Sequence, residues 1–401
     1  MINRFFSYLW PATCTNIVVV LAKNFALPLV AASPLCQTAR TIHPMPRSKM
    51  IASSRPRGEA SAPSVSLKFL AEHLGLSPAT VSLVINRSPA AKSIPHRTQE
   101  RIRQAARELN YRPNFMARSL RAQRSFTVGV VVPEISEGYA ALVMSGIEDH
   151  LLEEGYFYFV VSHRHRPDLI EEYPHLLQQR AVEGLIAVDT ACRKGVPIPV
   201  VSVSGHREVE GVTNIVLDHP RAAKLAMEHL TQLGHRKIAF IKGQEFSSDT
   251  EVRWQSVQET ARALTLEINE RLVGQLEGES GSPELGYVAT RKILAAQEPF
   301  TALFAFNDIS AIGAIRALRE AGLGVPEDVS VVGFDDIQSA AFQNPALTTV
   351  RQPLRQMGII AAETLLRRIN APAKSPYPKS ILVEPELIVR ETTARPHCKS
   401  A

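Results

Sequence analysis

Residues 67–86 read LKFLAEHLGLSPATVSLVIN and predict two short helices joined by a tight turn. The apolar residues of the first half recur at the spacing of one helical face: Leu67, Leu70, Ala71 and Leu74. Gly75 then ends the helix, because glycine takes the left-handed conformation of a helix terminus without steric cost. Ser77 can cap the second helix, and Pro78 fits its first turn, where no amide hydrogen is needed.

A third short helix is predicted after Pro95, and it ends before Tyr111. Its apolar side consists of Ile102, Ala105, Ala106 and Leu109. Val81 and Val84 give the second helix an inward face, so the three helices can share one core. Together they make a helix-turn-helix bundle, although other small helical bundles have the same pattern.

The charge of the chain is divided along its length. Residues 1–64 carry a net charge of +6, residues 65–124 carry +8, and residues 125–401 carry −8. A basic front half on an acidic body is typical of a nucleic-acid-binding head attached to a separate globular module. The alternative is a basic surface that is only solvated.

The 401 residues suggest two or three folded units, and a hydrophobic content of 45% supplies ample core. Residues 1–64 are predicted to be a disordered extension. The alternative is that translation starts at Met45 or Met50 and that the residues before it are a mis-assigned leader. The apolar run 17–32 is too short and too interrupted to predict a membrane span, although it resembles a secretory signal. Four widely spaced cysteines indicate neither disulfides nor a metal site, and favour a reducing compartment.

Beyond residue 125 the pattern predicts an α/β fold. Apolar runs typical of strands lie at 127–132, 157–161, 184–188, 199–203, 238–241, 302–306 and 329–333. Amphipathic stretches typical of helices lie at 139–154, 221–233, 251–264, 286–296 and 310–321. Strands that alternate with helices predict parallel sheets covered on both faces, and about 270 residues suffice for two similar lobes.

An ordered set of motifs resembles the LacI/GalR family of bacterial transcription regulators. They are residues 67–86, YRPN at 111–114, ARSL at 117–120, VGVVVP at 128–133, LGHRKI at 233–238, ND at 307–308, VPEDVSVVGFDD at 325–336 and TTVRQP at 348–353. Any one of them could arise by chance, but the ordered set spans residues 65 to about 395.

The resemblance implies a helix-turn-helix head at 65–113, a hinge helix and linker at 114–124, and an effector-binding and dimerisation core at 125–395. That core would be similar to periplasmic sugar-binding proteins. Lobe 1 would contain about 125–220 and 339–370, and lobe 2 about 221–338 and 380–395. The family binds double-stranded operator DNA as a homodimer and responds to a small molecule held between the lobes.

The resemblance also assigns DNA-contacting residues. In the recognition helix they are Ser77, Pro78, Ala79, Thr80, Ser82, Leu83 and Asn86, and in the hinge Asn114, Ala117, Arg118, Leu120 and Arg121. Leu83 stands where the family has an arginine that reads guanine. We therefore expect the operator to differ from the common family sequence at the base pair that this arginine would read. Phe69 replaces a usual acidic residue. The hinge is too short to be a stable helix alone, and Leu120 would be its wedge into the minor groove.

Candidate effector-binding residues are Tyr139, His163, Arg253 and Asp308. Ligands of open parallel sheets sit beyond the carboxyl ends of the strands, which points to Tyr139, His163 and Asp308. By family position, Arg253 and Asp308 would hydrogen-bond effector hydroxyls, which predicts a sugar or sugar derivative. The alternative is a structural salt bridge between these two residues.

Residues 163–166 (HRHR) and Arg221 are basic, which makes a phosphosugar plausible if they face the cleft; the alternative is a solvated surface. In addition, the connection 190–198 is too short for the helix that the family has there.

The best interpretation is a cytoplasmic transcriptional regulator, a repressor that needs no cofactor, metal or membrane. The alternative is an exported sugar-binding receptor that uses the apolar N-terminal segment as a signal, but this leaves the basic head unexplained. An enzyme is disfavoured, because no GxSxG, P-loop, HExxH or paired-carboxylate motif is present.

Overall fold

The computed structural model describes residues 65–86, 88–112, 119, 123–135, 138–192, 194–279, 281–372 and 375–397. They fall into two compact units, a head that ends at Arg124 and a core that starts at Ser125. Within these ranges, no helix has the length and hydropathy needed to cross a membrane. Cys192 is the cysteine that these ranges include, and its thiol is free.

The head contains helices α1 (Leu67–Leu74), α2 (Pro78–Ile85) and α3 (His96–Glu108), with a 3₁₀ turn at Pro89–Ser93. Gly75 ends α1 in the left-handed conformation at φ 65°, as predicted. The Ser77 side chain accepts the Thr80 amide at 3.1 Å and so caps α2. The predicted turn and cap are therefore confirmed.

One apolar cluster holds the three head helices together. Its buried members are Leu70, Ala71, Val81, Val84, Ala91, Ile102, Ala105 and Ala106. Leu109, predicted on the inward side of α3, is half-buried just beyond the end of that helix. Burying a side chain as large as Leu70 contributes about 1.5–3 kcal/mol, so this cluster stabilises the packing of the three helices.

The core contains two six-stranded sheets, and the first is parallel throughout. Its strands are β1 (Thr127–Val132), β2 (Phe157–Ser162), β3 (Gly184–Val188), β4 (Val200–Val203), β5 (Val212–Leu217) and β11 (Ser380–Val383). Their order is β2-β1-β3-β4-β5-β11. The helices of this lobe are α4 (Tyr139–Glu153), α5 (Pro167–Gln179) and α11 (Leu354–Asn370). Strands β1 and β3 are buried on both faces, which explains their continuous apolar sequence.

The second sheet has the order β7-β6-β8-β9-β10-β12, in which β12 alone runs antiparallel to its neighbour. Its strands are β6 (Ile238–Lys242), β7 (Val273–Gln275), β8 (Ala302–Phe304), β9 (Ser330–Asp335), β10 (Thr348–Arg351) and β12 (Glu386–Ile388). Its helices are α6 (His219–Leu233), α7 (Ser248–Ala263), α8 (Pro283–Ala295), α9 (Asp308–Glu320) and α10 (Gln338–Ala341). Two sheets with helices on their faces confirm the predicted two-lobed α/β fold.

The division between the lobes differs from the ranges expected from the sequence. Segment 339–370 was assigned to lobe 1, but β10 lies in the second sheet and only α11 packs in the first lobe. Segment 380–395 was assigned to lobe 2, but β11 pairs with β5 in the first sheet. The chain therefore crosses between the lobes after residue 217, after residue 351 and after residue 383. Pairing partners distant in sequence decide these memberships, and local pattern does not encode them.

The connection between β3 and β4 contains no helix in its described residues, as the sequence predicted. A cavity of about 180 Å³ lies beside it, lined by this connection, α5 and the strands beneath. The first lobe is thus thinly covered on this face.

Candidate nucleic-acid interface and effector cleft

The start of α2 presents a small exposed surface. Ser77, Pro78 and Ala79 are exposed, and Thr80 is half-buried behind them. The Ser77 and Thr80 hydroxyls lie 2.8 Å apart and hydrogen-bond to each other. Because the side chains here are short, another surface can approach the positive end of the α2 dipole closely.

The other end of α2 is less available. Leu83 is half-buried and packs against the apolar cluster of the head. The Asn86 amide donates to the Ser82 carbonyl at 2.9 Å and to the Ser82 hydroxyl at 3.0 Å. Phe69, the other departure from the family pattern, is 49% exposed, and Ser66 caps α1. The predicted hinge residues Asn114, Ala117, Arg118, Leu120 and Arg121 lie outside the described residues.

A cavity of about 130 Å³ lies between the two lobes of the core, and we call it the effector cleft. Its lining residues come from both lobes: Pro133, Glu134, Tyr139, Ala140, His165 and Asp189 from the first, and Gln244, Phe246, Ser247, Asp249, Arg253, Glu279, Gly281, Phe306, Asn307, Ile309 and Asp335 from the second. It opens at the carboxyl ends of the strands, where the rule for parallel sheets predicts a ligand.

Arg253, one of the four predicted effector residues, lines this cleft. Its guanidinium stacks between two rings, 4.4 Å from the centroid of Phe306 and 3.7 Å from that of Phe334. Its Nη2 atom lies 3.0 Å from Asp249 Oδ2, and its Nη1 atom donates to the Phe306 carbonyl. Buried Nε has no partner among the described residues.

Tyr139, the second predicted residue that lines the cleft, begins α4. Its hydroxyl lies 2.6 Å from Ser204 Oγ, a hydrogen bond within the first lobe. Burial raises the pKa of this hydroxyl well above its ordinary value, so it stays protonated and able to donate. Its ring is left to contact a ligand.

His163 and Asp308 are not among the lining residues of the cleft. His163 is buried; its Nδ1 accepts the His165 amide at 3.0 Å, so its Nε2 carries the hydrogen donated to Thr190 at 3.0 Å. Asp308 is fully buried and accepts hydrogen bonds from Thr349 Oγ1 at 2.5 Å and from the Ile337 amide at 2.8 Å. The alternative Asp308–Arg253 salt bridge is not found, because Arg253 pairs with Asp249 while Asp308 bonds to Thr349 and Ile337, all within the second lobe.

Three carboxyls that sequence reasoning missed dominate the cleft: Asp249 and Asp335 are buried, and Asp189 is half-buried. Burial raises the pKa of Asp189 to about 6 and that of Asp335 to about 7. Burial would also raise the pKa of Asp249, but its imidazole neighbours and Arg253 hold it well below its usual range. Asp189 directly follows β3 and Asp335 ends β9. The rule that ligands sit beyond the carboxyl ends of parallel strands, which we call the strand-end rule, could therefore have found both. Asp249 lies inside a helix and gave no such signal.

Two of the basic residues expected to favour an anionic ligand, Arg166 and Arg221, lie outside the cleft. Arg166 pairs with Asp168, and Arg221 pairs with Glu384 at 3.0 Å; all four side chains are more than half exposed. Neither arginine lines the cleft. His165 does line it, and its ring centroid lies 3.8 Å from that of Phe246 in the other lobe. The solvated-surface alternative is therefore correct for both arginines.

Comparisons with known proteins agree with this architecture. Residues 66–114 match the bacterial regulatory proteins of the lacI family, and residues 227–393 match the periplasmic binding protein-like domain. The HTH-type transcriptional repressor PurR of Haemophilus influenzae is 32% identical over 336 residues, 81% of this chain and 98% of PurR. PurR of Aliivibrio fischeri is 32% identical over 338 residues, with 81% and 97% covered.

Two solved structures extend the likeness to most of the described residues. The lac repressor dimer bound to operator and the anti-inducer ONPF has a TM-score of 0.70 at 26% identity, covering 82% of this chain and 99% of that one. The complex of the transcriptional regulator CelR with cellobiose has a TM-score of 0.60 at 29% identity, with the same coverage. These relatives are transcriptional regulators and not enzymes. The chain belongs to the lacI family of bacterial regulatory proteins and is a DNA-binding transcriptional regulator.

Proposed function

We propose that this protein is a cytoplasmic repressor that binds double-stranded operator DNA as a homodimer and is controlled by a neutral sugar bound in the effector cleft. The observation that carries the proposal is that one chain has both features: a recognition helix whose exposed start bears only short side chains, and a core with a cleft between two lobes. The exported-receptor alternative would need the cleft but gives no use to the head.

The start of α2 supports DNA binding. Exposed Ser77, Pro78 and Ala79 offer a flat surface, and the hydroxyls and amides there can contact phosphates and base edges in a major groove. Leu83 packs against the head core and has no hydrogen-bond donor, so the operator should lack bidentate guanine readout at this step.

Genome-wide mapping of binding sites tests the DNA-binding proposal. We expect a short palindromic sequence, and a DNA duplex of that sequence should bind the purified protein with an affinity that falls steeply with salt. Binding of random duplexes with equal affinity at every salt concentration would contradict sequence-specific recognition.

The charge of the effector cleft supports a neutral sugar. Five carboxyl groups line it (Glu134, Asp189, Asp249, Glu279 and Asp335), whereas its one guanidinium among the described residues already pairs with Asp249. Carboxylates accept hydrogen bonds from hydroxyls but repel a phosphate. Phe246, Phe306 and Tyr139 supply ring surface for the apolar faces of a sugar.

Calorimetry with ribose, cellobiose and related neutral sugars, set against ribose 5-phosphate and other phosphorylated sugars, tests the effector class. We expect at least one neutral sugar to bind and its phosphorylated form to bind more weakly. Tighter binding of the phosphorylated form would contradict the proposal.

The hinge residues supply the coupling in this proposal. A helix of about seven residues at 114–120 is too short to persist alone, so it would fold only when two copies pair on DNA. Leu120 would then insert between base pairs. Leu120→Gly should weaken operator binding by at least tenfold, and an unchanged affinity would refute this role.

A further inference from the structure

Two imidazoles and one carboxylate converge beside the effector cleft. His206 Nε2 lies 2.6 Å from Asp249 Oδ1, and His219 Nε2 lies 3.4 Å from the same oxygen. These three ligand atoms all lie within 4.8 Å of one another. The side chains are 15%, 1% and 7% exposed, in the order His206, His219 and Asp249.

His219 is the unusual member of this cluster. Neither of its ring nitrogens has a hydrogen-bond partner among the described residues, although the side chain is 1% exposed. Its Nε2 atom faces Asp249 Oδ1, which is already hydrogen-bonded to His206. Its ring stacks on Phe334, with 6.3 Å between the ring centroids. Buried polar groups are nearly always paired in folded proteins, so an unpaired buried imidazole calls for an explanation.

We propose that His206, His219 and Asp249 form a binding site for a divalent transition-metal ion of the Zn²⁺ type. Two imidazole nitrogens and one carboxylate oxygen are a donor set that such ions accept, and three protein ligands leave a position open to water or to a ligand oxygen. The ion would give the Nε2 atom of His219 a partner.

The distances fit this donor set. With metal–ligand bonds of about 2.0–2.1 Å, the ligand atoms of a tetrahedral site lie about 3.3 Å apart. The His219–Asp249 separation of 3.4 Å already matches, and His206 must withdraw from its 2.6 Å hydrogen bond by less than about 1 Å.

The surroundings also prepare the ligands. Arg253 holds the second oxygen of Asp249, Oδ2, at 3.0 Å, which fixes the carboxylate with Oδ1 directed at the two imidazoles.

The position of the cluster gives the ion a structural consequence. His206 follows β4 in the first lobe, His219 begins α6 where the chain first crosses between the lobes, and Asp249 lies on α7 in the second lobe. A bound ion would therefore join the two lobes at the edge of the cleft. The inference does not depend on the sugar proposal, because metal binding is measured directly.

Titration of the chelator-treated full chain with Co²⁺, followed by visible absorption and by Zn²⁺ competition, tests the site. We expect one Co²⁺ per chain with the spectrum of a tetrahedral or five-coordinate nitrogen and oxygen site, displaced by Zn²⁺. His206→Asn and Asp249→Asn should each weaken binding by on the order of 100-fold. His229→Asn is the matched control, because His229 lies on the same helix as His219 but bonds to Thr393.

Thermal unfolding of the metal-free variants checks that each one folds; His206 is the most exposed ligand, so its variant is the safest. Absence of saturable Co²⁺ binding would overturn the proposal. So would equal binding by native protein and His206→Asn. A sulfur-to-cobalt charge-transfer band would place the ion on cysteines and would also overturn it.

Discussion

The hydroxyl of Ser248, in the second lobe, lies 2.8 Å from Asp189 Oδ1 and 2.5 Å from the Ser204 carbonyl oxygen, both in the first lobe. The Ser248 amide lies 3.2 Å from the same carboxyl oxygen. Asp189 is half-buried at the cleft, so these two groups take the place of water around its carboxyl. Closure of the lobes therefore gives the Asp189 carboxyl the hydrogen-bond partners that Ser248 supplies.

Removing the Ser248 hydroxyl should weaken this coupling. Ser248→Ala removes the hydroxyl contacts with Asp189 and with the Ser204 carbonyl and leaves the amide alone at Asp189, so we expect a loss of about 1–2 kcal/mol in the free energy of unfolding. Denaturant titration at pH 7.5 measures it. Ser256→Ala is a suitable control, because Ser256 lies on the same helix and bonds only to the Val252 carbonyl of that helix. Equal effects of the two variants would contradict a special role for the contact between the lobes.

Arg253 should contribute to stability as well as to ligand binding. Arg253→Met removes the guanidinium partner of buried Asp249, so we expect a loss of about 3 kcal/mol in the free energy of unfolding. Arg253→Lys keeps the charge but loses the planar group that stacks between Phe306 and Phe334, so its loss should be smaller. Denaturant titration ranks the variants, and a methionine variant as stable as the native protein would refute this account.

Asp335 should make stability fall as the pH rises. Burial raises its pKa in the folded state from 3.8 to about 7, so the folded state holds the proton more tightly than the unfolded state. This contribution is fully present below about pH 4 and is lost as the pH passes through 7. Asp335→Asn removes this contribution. Between pH 4 and pH 8 the free energy of unfolding of the variant should therefore rise relative to that of the native protein by up to about 4 kcal/mol.

Unfolding curves of both proteins at several pH values test this difference. The Gln352 amide, which donates to Asp335 Oδ1 at 2.6 Å, can donate equally to an asparagine, so the contact is kept. A stability difference between the two proteins that does not change with pH would show that Asp335 has an ordinary pKa.

Ser77 and Ser66 allow capping to be separated from DNA contact. Each side-chain oxygen accepts the amide three residues on at 3.1 Å, and each serine is exposed. Aspartate caps helices as well as serine does, so Ser77→Asp and Ser66→Asp should both keep the head folded. Because only position 77 lies at the start of the recognition helix, Ser77→Asp should lower operator affinity at least tenfold, measured by fluorescence anisotropy. Equal losses would mean that only overall charge matters.

Local signals predicted the head well. The glycine at 75 and the serine at 77 end one helix and begin the next within four residues, and neither needs a distant partner. Helix α4 was likewise predicted to within one residue of its observed bounds, Tyr139–Glu153. In contrast, β5, β7, β10, β11 and β12 were missed; all of them except β5 have only three or four residues, too few to show a periodicity.

The site was predicted only in part. The strand-end rule finds the correct edge of a sheet, but it cannot tell which way a side chain points. Tyr139 faces the cleft, whereas His163 turns inward to Thr190. Asp249 was missed because it reaches the cleft from the first turn of α7, and its partners His206 and His219 lie 43 and 30 residues before it in the sequence.

The sequence alone determined the order of modules, the bounds of most helices and the family, since these depend on residues that are neighbours along the chain. Tertiary structure decided which lobe receives each of the last strands, which candidate residues face the cleft, and that two histidines share one aspartate. The physical reason is the separation along the chain between the residues that interact. Caps, turns and helical faces are fixed within a few residues, whereas the pairing of Asp189 with Ser248 exists only after two separate sheets have closed on each other.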